Sequence, residues 1–425
     1  MRLSDSLSSL SDFSRFFVPG HKGAIYQDDV TELDCTDDLY RSNGTIRDIE
    51  CAISRLYGSS YSCLSTCGNT LCIQSMLSMC RFSGEKIVVP RNVHKSSVYS
   101  MGLLNIDPIW VDVEKDKNVK VDDIENALCE NTDARGVFVT SPDYFGRIAD
   151  ISSIKSVCVD VPLLVDNAHG SHLIFFNMHP IGFGADFCAD SAHKTLPVLT
   201  GGAWFHVGKN YAKRNQCKFE DLKYSAEIFS TTSPSFLTLK SIEKCAYWME
   251  NEGKKEFEIL KKKVSSLKKK FGELFDKNVD DPVRICFDTQ NIGYSCEEFI
   301  SHLSKFKIKP EFGVGFKTVL IPSPFNKKID WERLDSFINS LSPKDRIYSE
   351  ESVDMKHEKK MSIHDAMFSN HERVEIEKCV GKISAQVVFN CPPGVAEIVP
   401  GEVISRNDIN KMKLMGLKSI MTVRL

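Results

Sequence analysis

The sequence predicts an α/β protein built around a mostly parallel β-sheet. Short apolar runs alternate with stretches of helical periodicity between residues 50 and 210, the pattern of strands joined by crossover helices. Five runs predict strands, at residues 87–89, 109–113, 137–140, 163–166 and 203–207. One of them ends in Asp166, and Lys194 follows in a later polar segment. Because ligands bind beyond the carboxyl ends of strands in such sheets, we expect these two side chains to share a site.

The rest of the chain predicts further helices and a smaller α/β unit. We expect a helix over residues 69–79, and apolar spacings of three and four predict a long helix over residues 257–274. Beyond Pro282, strands are expected at residues 283–287 and 318–321 and a helix at residues 330–341. The chain therefore divides into an N-terminal segment (1–30), a large domain (31–280), a small α/β domain (281–345) and a C-terminal piece (346–425).

Composition and charge argue against several classes of function. The 425 residues carry a net charge of −3, so no global field would recruit nucleic acid or an acidic membrane surface. No glycine fingerprint of a dinucleotide fold or P-loop is present. The 15 cysteines form neither a disulfide framework nor a zinc pattern, and we predict no metal site. Since no apolar run approaches a membrane span or a signal-peptide core, we expect a cytoplasmic protein.

The surroundings of Lys194 match the needs of pyridoxal 5'-phosphate. This cofactor requires a lysine for its aldehyde, a carboxylate for its pyridine nitrogen, a flat group against its ring and donors for its phosphate. Lys194 must lose a proton to react, and the neighbouring His193 favours that loss. Asp166, at the end of a buried strand, is the carboxylate. The alternative for an acid at that position is a helix N-cap.

Several motifs then resemble one family. The run SAHKTLPVLTGGAWF, preceded by VDNAHGSH, resembles the lysine-attachment region of the bacterial ornithine/lysine/arginine decarboxylases of pyridoxal-phosphate fold type I. Seven further segments follow the family order: FFVPGHKG, DDLYRSNGTI, STCGN, PRNVHKS, SPDYFG, STTSPSF and PPGVAEIVPGE. The resemblance covers nearly the whole chain. It implies a seven-stranded-type sheet in the large domain, smaller C-terminal α/β units, and the short form without the N-terminal wing domain.

The resemblance also implies roles for individual residues. Lys194 would form the Schiff base and Asp166 would hold the pyridinium nitrogen, while His94 would stack on the ring face opposite Ala168. The cofactor-binding set would be completed by residues that hold the phosphate or flank the ring: Ser65, Thr66, Cys67, His169, Ser191 and His193. From a neighbouring subunit, Thr232 and Ser233 would complete the phosphate site, which implies a homodimer with shared active sites.

Each of these residues also has an ordinary structural interpretation. His94 could be a surface histidine that precedes a helix, and Ser65 and Thr66 could be simple N-caps. The segment that contains Thr232 and Ser233 reads alone as a proline turn. What favours the functional interpretation is the fixed order of the motifs, more than any single residue.

The implied activity is decarboxylation of arginine, lysine or ornithine to the corresponding amine, through a Schiff base and a quinonoid, as in polyamine biosynthesis. Either His193 or Lys194 would return a proton to Cα. The distal cation of the substrate calls for a carboxylate, and the candidates are Glu402, Asp37 and Asp38, each of which could equally be a surface charge or a cap.

The chain departs from the family pattern at three places. Asn167 stands where glutamate is usual, Cys63 and Leu64 stand where Asn-Gly begins the phosphate loop, and Cys391 replaces the tyrosine before Pro-Pro-Gly. Two alternatives stay open, one because its lysine motif would look much the same and one because of these departures. One is another fold type I activity, such as an aminotransferase or lyase, and the other is a non-catalytic regulator that binds pyridoxal phosphate.

Overall fold

The computed structural model describes residues 2–114, 116–342, 344–347, 357–389 and 394–424. The helices are α1 (Leu3–Ser9), α2 (Thr45–Tyr57), α3 (Gly68–Met79), α4 (Lys95–Leu103), α5 (Val121–Glu130), α6 (Ile151–Val157), α7 (Ala192–Thr195), α8 (Lys209–Arg214), α9 (Phe219–Glu227), α10 (Phe236–Trp248), α11 (Lys254–Lys270), α12 (Cys296–Lys305), α13 (Lys328–Asn339), α14 (Ile363–Phe368) and α15 (Arg406–Leu414). The strands are β1 (Tyr61–Ser65), β2 (Lys86–Pro90), β3 (Asp107–Val111), β4 (Ala134–Thr140), β5 (Leu163–Asp166), β6 (Phe187–Asp190), β7 (Ala203–Val207), β8 (Ile285–Asp288), β9 (Phe312–Val314), β10 (Lys317–Leu320), β11 (His371–Glu375), β12 (Val388–Phe389), β13 (Ala396–Ile398) and β14 (Ser419–Val423).

The main sheet has seven strands in the order β1-β7-β6-β5-β4-β2-β3. The pairs β2–β3, β2–β4, β4–β5 and β5–β6 are parallel, and only β7 runs against its two neighbours, β1 and β6. The predicted mostly parallel α/β fold is therefore confirmed. All five predicted strands are present, whereas β1 and β6 had no counterpart in the prediction. Both strands contain polar residues whose partners lie inside the fold, such as Ser62, which bonds the ring of His206 at 2.7 Å.

Both faces of the sheet are covered by helices. Along β5, Leu164 belongs to one apolar cluster with residues of α3 and α4, while Leu163 and Val165 belong to another with residues of α5 and α6. This alternation follows from the two-residue period of a strand. It explains why a strand buried on both faces reads as a continuous apolar run.

The smaller units lie after the main sheet in the chain. Strands β8, β10 and β9 form an antiparallel sheet next to α12 and α13, and β11 pairs with β14 while β12 pairs with β13. The boundaries at residues 280 and 345 stay predictions. The long predicted helix was wrong at its C-terminal end, because α11 stops at Lys270 and Phe271 leaves helical geometry before Gly272. None of the described helices is both long and apolar enough to cross a membrane.

Candidate active site

Two neighbouring strands bring the predicted lysine and acid together. Asp166 ends β5, and β6, which pairs with β5 in parallel, leads through Asp190 into the single turn α7 that carries Lys194. The turn is held by the backbone, because the N–H of Lys194 donates to the Ser191 carbonyl at 3.0 Å and that of His193 to the Gly202 carbonyl at 3.2 Å. Both side chains therefore emerge at the carboxyl edge of the sheet, as the sequence predicted.

Lys194 lies in a buried setting that weakens its charged form. Its Nζ is 3.0 Å from Nε2 of His169 and 5.8 Å from the centre of the Tyr144 ring. Burial lowers the pKa of Lys194; the Arg284 charge acts in the same direction, and the carboxylates of Asp166 and Glu311 oppose it. A lysine with a lowered pKa is the nucleophile that Schiff-base chemistry requires.

His169 is the hydrogen-bond partner of that lysine. Burial lowers its pKa well below the usual range, and the charge of Lys194 adds to the effect. The ring is therefore neutral near pH 7, so Nε2 can accept a hydrogen bond from the ammonium of Lys194. The carbonyl of His169 accepts from the Arg284 guanidinium at 3.1 Å, and its ring lies 4.8 Å from that of Tyr144.

Asp166 is fully enclosed and keeps one oxygen free. Its Oδ1 accepts hydrogen bonds from the Asn69 side chain at 2.9 Å and the Ala168 N–H at 3.2 Å. Oδ2 accepts none from the part of the chain that the structure describes. Burial raises the pKa of Asp166 to about 6. Sequence reasoning missed Asn69, although it ends the STCGN motif and so could have been nominated with it.

His94 fits both of its sequence interpretations. It is the N-cap of α4, where its Nδ1 accepts from the Ser96 N–H at 3.2 Å. Its ring also lies 6.2 Å from the Tyr144 ring. Burial lowers the pKa of His94 to about 4, and the charge of Lys194 contributes. Gly394 packs against this ring, since a Cβ there would meet the His94 side chain at 2.8 Å.

The predicted phosphate loop precedes the N-terminus of α3. Ser65 organises it, because its hydroxyl accepts from the Cys67 N–H at 3.1 Å and donates to the Gly68 carbonyl at the same distance. The first N–H groups of α3 have no partner within the helix, which makes this end a site for an anion. The neighbouring Thr66 is half-buried, and its carbonyl would lie 3.0 Å from a Cβ at Gly201.

The other phosphate candidates differ in placement. Ser191 is buried, and the ring of His193 is anchored through Nδ1 to the Gly202 carbonyl at 3.0 Å. Thr232 and Ser233 are exposed. Within one chain it is Ser230 that approaches the loop, with its hydroxyl 3.8 Å from Sγ of Cys67. A contribution of Thr232 and Ser233 to a partner subunit stays a prediction.

The acids that were predicted to bind the substrate have other contacts in the structure. Glu402 is buried in an ion pair with Arg91 at 2.7 Å and also accepts from the Val399 N–H at 2.8 Å. The carboxylate of Asp37 accepts from the Gly44 and Ile46 N–H groups at the start of α2, both at 2.9 Å.

Asp38 likewise accepts from the Tyr40 N–H at 2.8 Å and pairs with the exposed Arg41. Asp37 and Asp38 therefore have the capping and turn roles that were their alternatives, and Glu402 has its charge already balanced. Each of the three acids therefore has a structural contact in the described residues, and substrate binding by any of them stays a prediction.

A second buried carboxylate explains the departure at residue 167. Asp190 accepts a hydrogen bond from the Asn167 amide at Oδ1 and lies within 3.2 Å of ring nitrogens of Trp204, His179 and His206 at Oδ2. Burial alone would raise the pKa of Asp190, but the two histidines hold it below its usual range. A glutamate at position 167 would instead place a second negative charge beside this carboxylate.

Of the other two departures from the family pattern, the structure describes the one at Cys63 and Leu64 but not the one at Cys391. Cys63 lies in β1, where it is fully buried and burial raises the pKa of its thiol to about 12. Leu64 next to it packs in the core. These positions therefore support the strand that leads into the loop. Cys391 and Pro392 lie outside the described residues.

Comparisons with known proteins agree with this geometry. The family models "Orn/Lys/Arg decarboxylase, major domain" and "Orn/Lys/Arg decarboxylase, C-terminal domain" match residues 11–296 and 343–419. The Bacillus subtilis protein YaaO, uncharacterised, is 28% identical over 95% of this chain and 92% of its own length. An arginine decarboxylase of the same organism is 25% identical over 93% of this chain and 89% of its own.

A solved structure confirms the fold. The lysine decarboxylase of Francisella novicida superimposes with a TM-score of 0.80 and 19% identity, covering 99% of this chain and 81% of that one. The predicted pyridoxal-phosphate fold type I is therefore correct for this chain.

Proposed function

We propose that this chain, which belongs to the Orn/Lys/Arg decarboxylase family, is a pyridoxal-phosphate-dependent decarboxylase of a basic amino acid, namely arginine, lysine or ornithine. The observation that carries the proposal is that a half-buried lysine of lowered pKa and a buried aspartate emerge from adjacent strand ends, at Lys194 and Asp166. We further propose a cytoplasmic homodimer whose amine product serves polyamine synthesis.

The residues present fit the proposed cofactor. Oδ2 of Asp166 lacks a donor among the described residues, so it can accept a hydrogen bond from a protonated pyridine nitrogen. At the N-terminus of α3 the Gly68 N–H donates to the Gly201 carbonyl, and the N–H groups of the next residues of this first turn, which have no partner within the helix, can hold a phosphate. His94 can cover a ring, since it is neutral at physiological pH and lies beside Tyr144. Each need of the cofactor therefore has a candidate group in this chain.

The chain's own residues would divide the chemistry between them. Pyridoxal phosphate, when bound, supplies an electron sink for the pair of electrons left at Cα as carbon dioxide departs. Asp166, ionised above its pKa of about 6, would keep a proton on the pyridine nitrogen. His169 would orient Nζ of Lys194 through their hydrogen bond. Lys194 or His193 would then deliver a proton to Cα.

The test is carbon dioxide release by protein loaded with pyridoxal phosphate, measured with arginine, lysine, ornithine and neutral amino acids. Lys194→Ala should abolish release from the preferred substrate. Lys209→Ala, a change at an exposed lysine at the start of α8, should leave the rate at the wild-type value. A Lys194→Ala protein that keeps the wild-type rate would refute the proposal.

Product analysis separates the proposal from its alternatives. A basic amine supports decarboxylation, whereas a keto acid would indicate an aminotransferase. Cofactor binding without turnover of any amino acid would indicate a non-catalytic regulator.

A further inference from the structure

One exposed acid of the small sheet, Glu311, has no cation beside it in the part of the chain that the structure describes. Glu311 lies directly before β9, and its N–H donates to the Val319 carbonyl of β10 at 2.9 Å, which anchors the residue to the sheet. Its side chain is exposed. Among the described residues, no lysine, arginine or histidine nitrogen lies within 4.0 Å of its carboxylate. Glu311 thus differs from Glu402, whose charge Arg91 balances.

Glu311 is next to the residue that joins the small sheet to the active site. The ring of Phe312 lies 5.6 Å from that of Phe145 and 6.4 Å from that of Tyr144. Tyr144 in turn lies below Nζ of Lys194, at 5.8 Å from its ring centre. The carboxylate of Glu311 is near enough to act on Lys194 electrostatically, since it raises the pKa that burial lowers.

An open cavity of about 320 Å³ extends from Glu311 along the small domain. Its apolar lining includes Ile308, Leu320 and Trp331, which suits an aliphatic side chain. Ile321 and Pro322 border this cavity and also a smaller one beside Thr195. Since Thr195 directly follows Lys194, only the wall formed by Ile321 and Pro322 and this smaller cavity lie between the open cavity and the turn that carries the reacting lysine.

We propose that Glu311 is a specificity-determining residue, which binds the distal ammonium or guanidinium of the amino acid whose α-amine meets Lys194. The inference rests on the proposed function, because it assumes that the amino acid reacts at Lys194. Its chemistry is that of a charge-assisted hydrogen bond between a carboxylate and a nitrogen cation. The aliphatic stem of the substrate would lie along the apolar wall of the cavity.

The experiment compares Glu311→Gln with wild-type protein loaded with pyridoxal phosphate. The substrates are the preferred basic amino acid and norleucine, which has an apolar chain and no distal charge. We expect kcat/KM for the basic substrate to fall about 10- to 100-fold, the loss of one charge-assisted hydrogen bond, and that for norleucine to stay unchanged.

Two control variants come from the same domain. Glu332→Gln removes an exposed acid of α13 that pairs with Lys328 at 3.5 Å. It should leave kcat/KM unchanged for both the basic and the neutral substrate. Lys309→Gln removes a positive charge from the lining of the same cavity. It should not lower kcat/KM for the basic substrate. If Glu311→Gln lowers kcat/KM equally for the basic and the neutral substrate, or lowers neither, the inference is overturned.

A binding measurement separates this inference from the proposed function. The change in absorbance of the bound cofactor during titration gives an affinity for each amino acid, whether or not carbon dioxide is released. If wild-type protein releases none, the decarboxylase proposal fails, but a preference for basic amino acids that Glu311→Gln abolishes would still support the role of Glu311. If wild-type protein binds basic and neutral amino acids equally, the role of Glu311 is refuted as well.

Discussion

Asp166→Asn should stabilise the cofactor-free protein near neutral pH. The carboxylate of Asp166 is buried with only two hydrogen bonds, both at Oδ1, and burial raises its pKa from 3.8 to about 6. A shift of about two units corresponds to about 3 kcal/mol at 1.36 kcal/mol per unit. Keeping this group ionised therefore costs about 3 kcal/mol of folding free energy, which an amide of the same shape avoids.

The pH dependence has a definite sign. Because the folded pKa lies above the unfolded one, the folded protein binds the additional proton between these two values. The cost is absent below about pH 4, grows as the pH rises to about 6, and is constant above that. Urea unfolding of cofactor-free wild-type and Asp166→Asn proteins should therefore differ by about 3 kcal/mol at pH 8 and converge towards pH 4.

Asp190 is a matched control at the end of the next strand. It is equally buried, but it accepts from the Asn167 amide and lies beside His179, His206 and Trp204, and its pKa is lowered. Asp190→Asn should thus destabilise the protein above the unfolded pKa of aspartate, with the loss shrinking as the pH falls. A destabilising Asp166→Asn, or an effect independent of pH, would refute the reasoning.

Two further predictions concern buried contacts. Glu402→Gln leaves Arg91 buried without its ion-pair partner and should lower the free energy of unfolding by about 3–5 kcal/mol. The ratio of kcat/KM between basic and neutral substrates should stay the same. A selective fall in kcat/KM for the basic substrate would instead indicate that Glu402 binds it. Asn69→Leu removes a hydrogen bond to the carboxylate of Asp166 and should weaken pyridoxal phosphate binding about 10- to 100-fold. Titration of cofactor-free protein measures this affinity. An unchanged affinity would mean that the hydrogen bond from Asn69 does not help Asp166 to bind the cofactor.

The sequence predicted the parts of the fold whose strands are apolar on both faces. Residues 163–166 and 203–207 coincide with β5 and β7. It missed β6, because the apolar run there is only three residues long and lies between two aspartates, Asp186 and Asp190. The partners of Asp190 come from β7, from Asn167 directly after β5 and from the segment before β6, so they exist only after the chain has folded.

The same reason explains which site residues could be predicted. Lys194, Asp166 and His169 belong to motifs beside the carboxyl ends of neighbouring strands, so local pattern and sheet topology suffice to bring them together. The function of an acid depends instead on whether a cation already balances it. Arg91 neutralises Glu402 from a distant part of the chain, and no motif marks Glu311.

Substrate choice in such a site therefore depends on the acid that folding leaves unpaired. A carboxylate that is already bonded to arginine must lose that bond before it can bind a substrate cation, and the exchange gains little free energy. An exposed carboxylate loses only water, and the enclosure of the substrate then strengthens the new contact. Because Glu311 meets this condition at the edge of the small sheet, differences in substrate among related chains should follow the residue at this position more closely than the acid of the Pro-Gly-Glu motif.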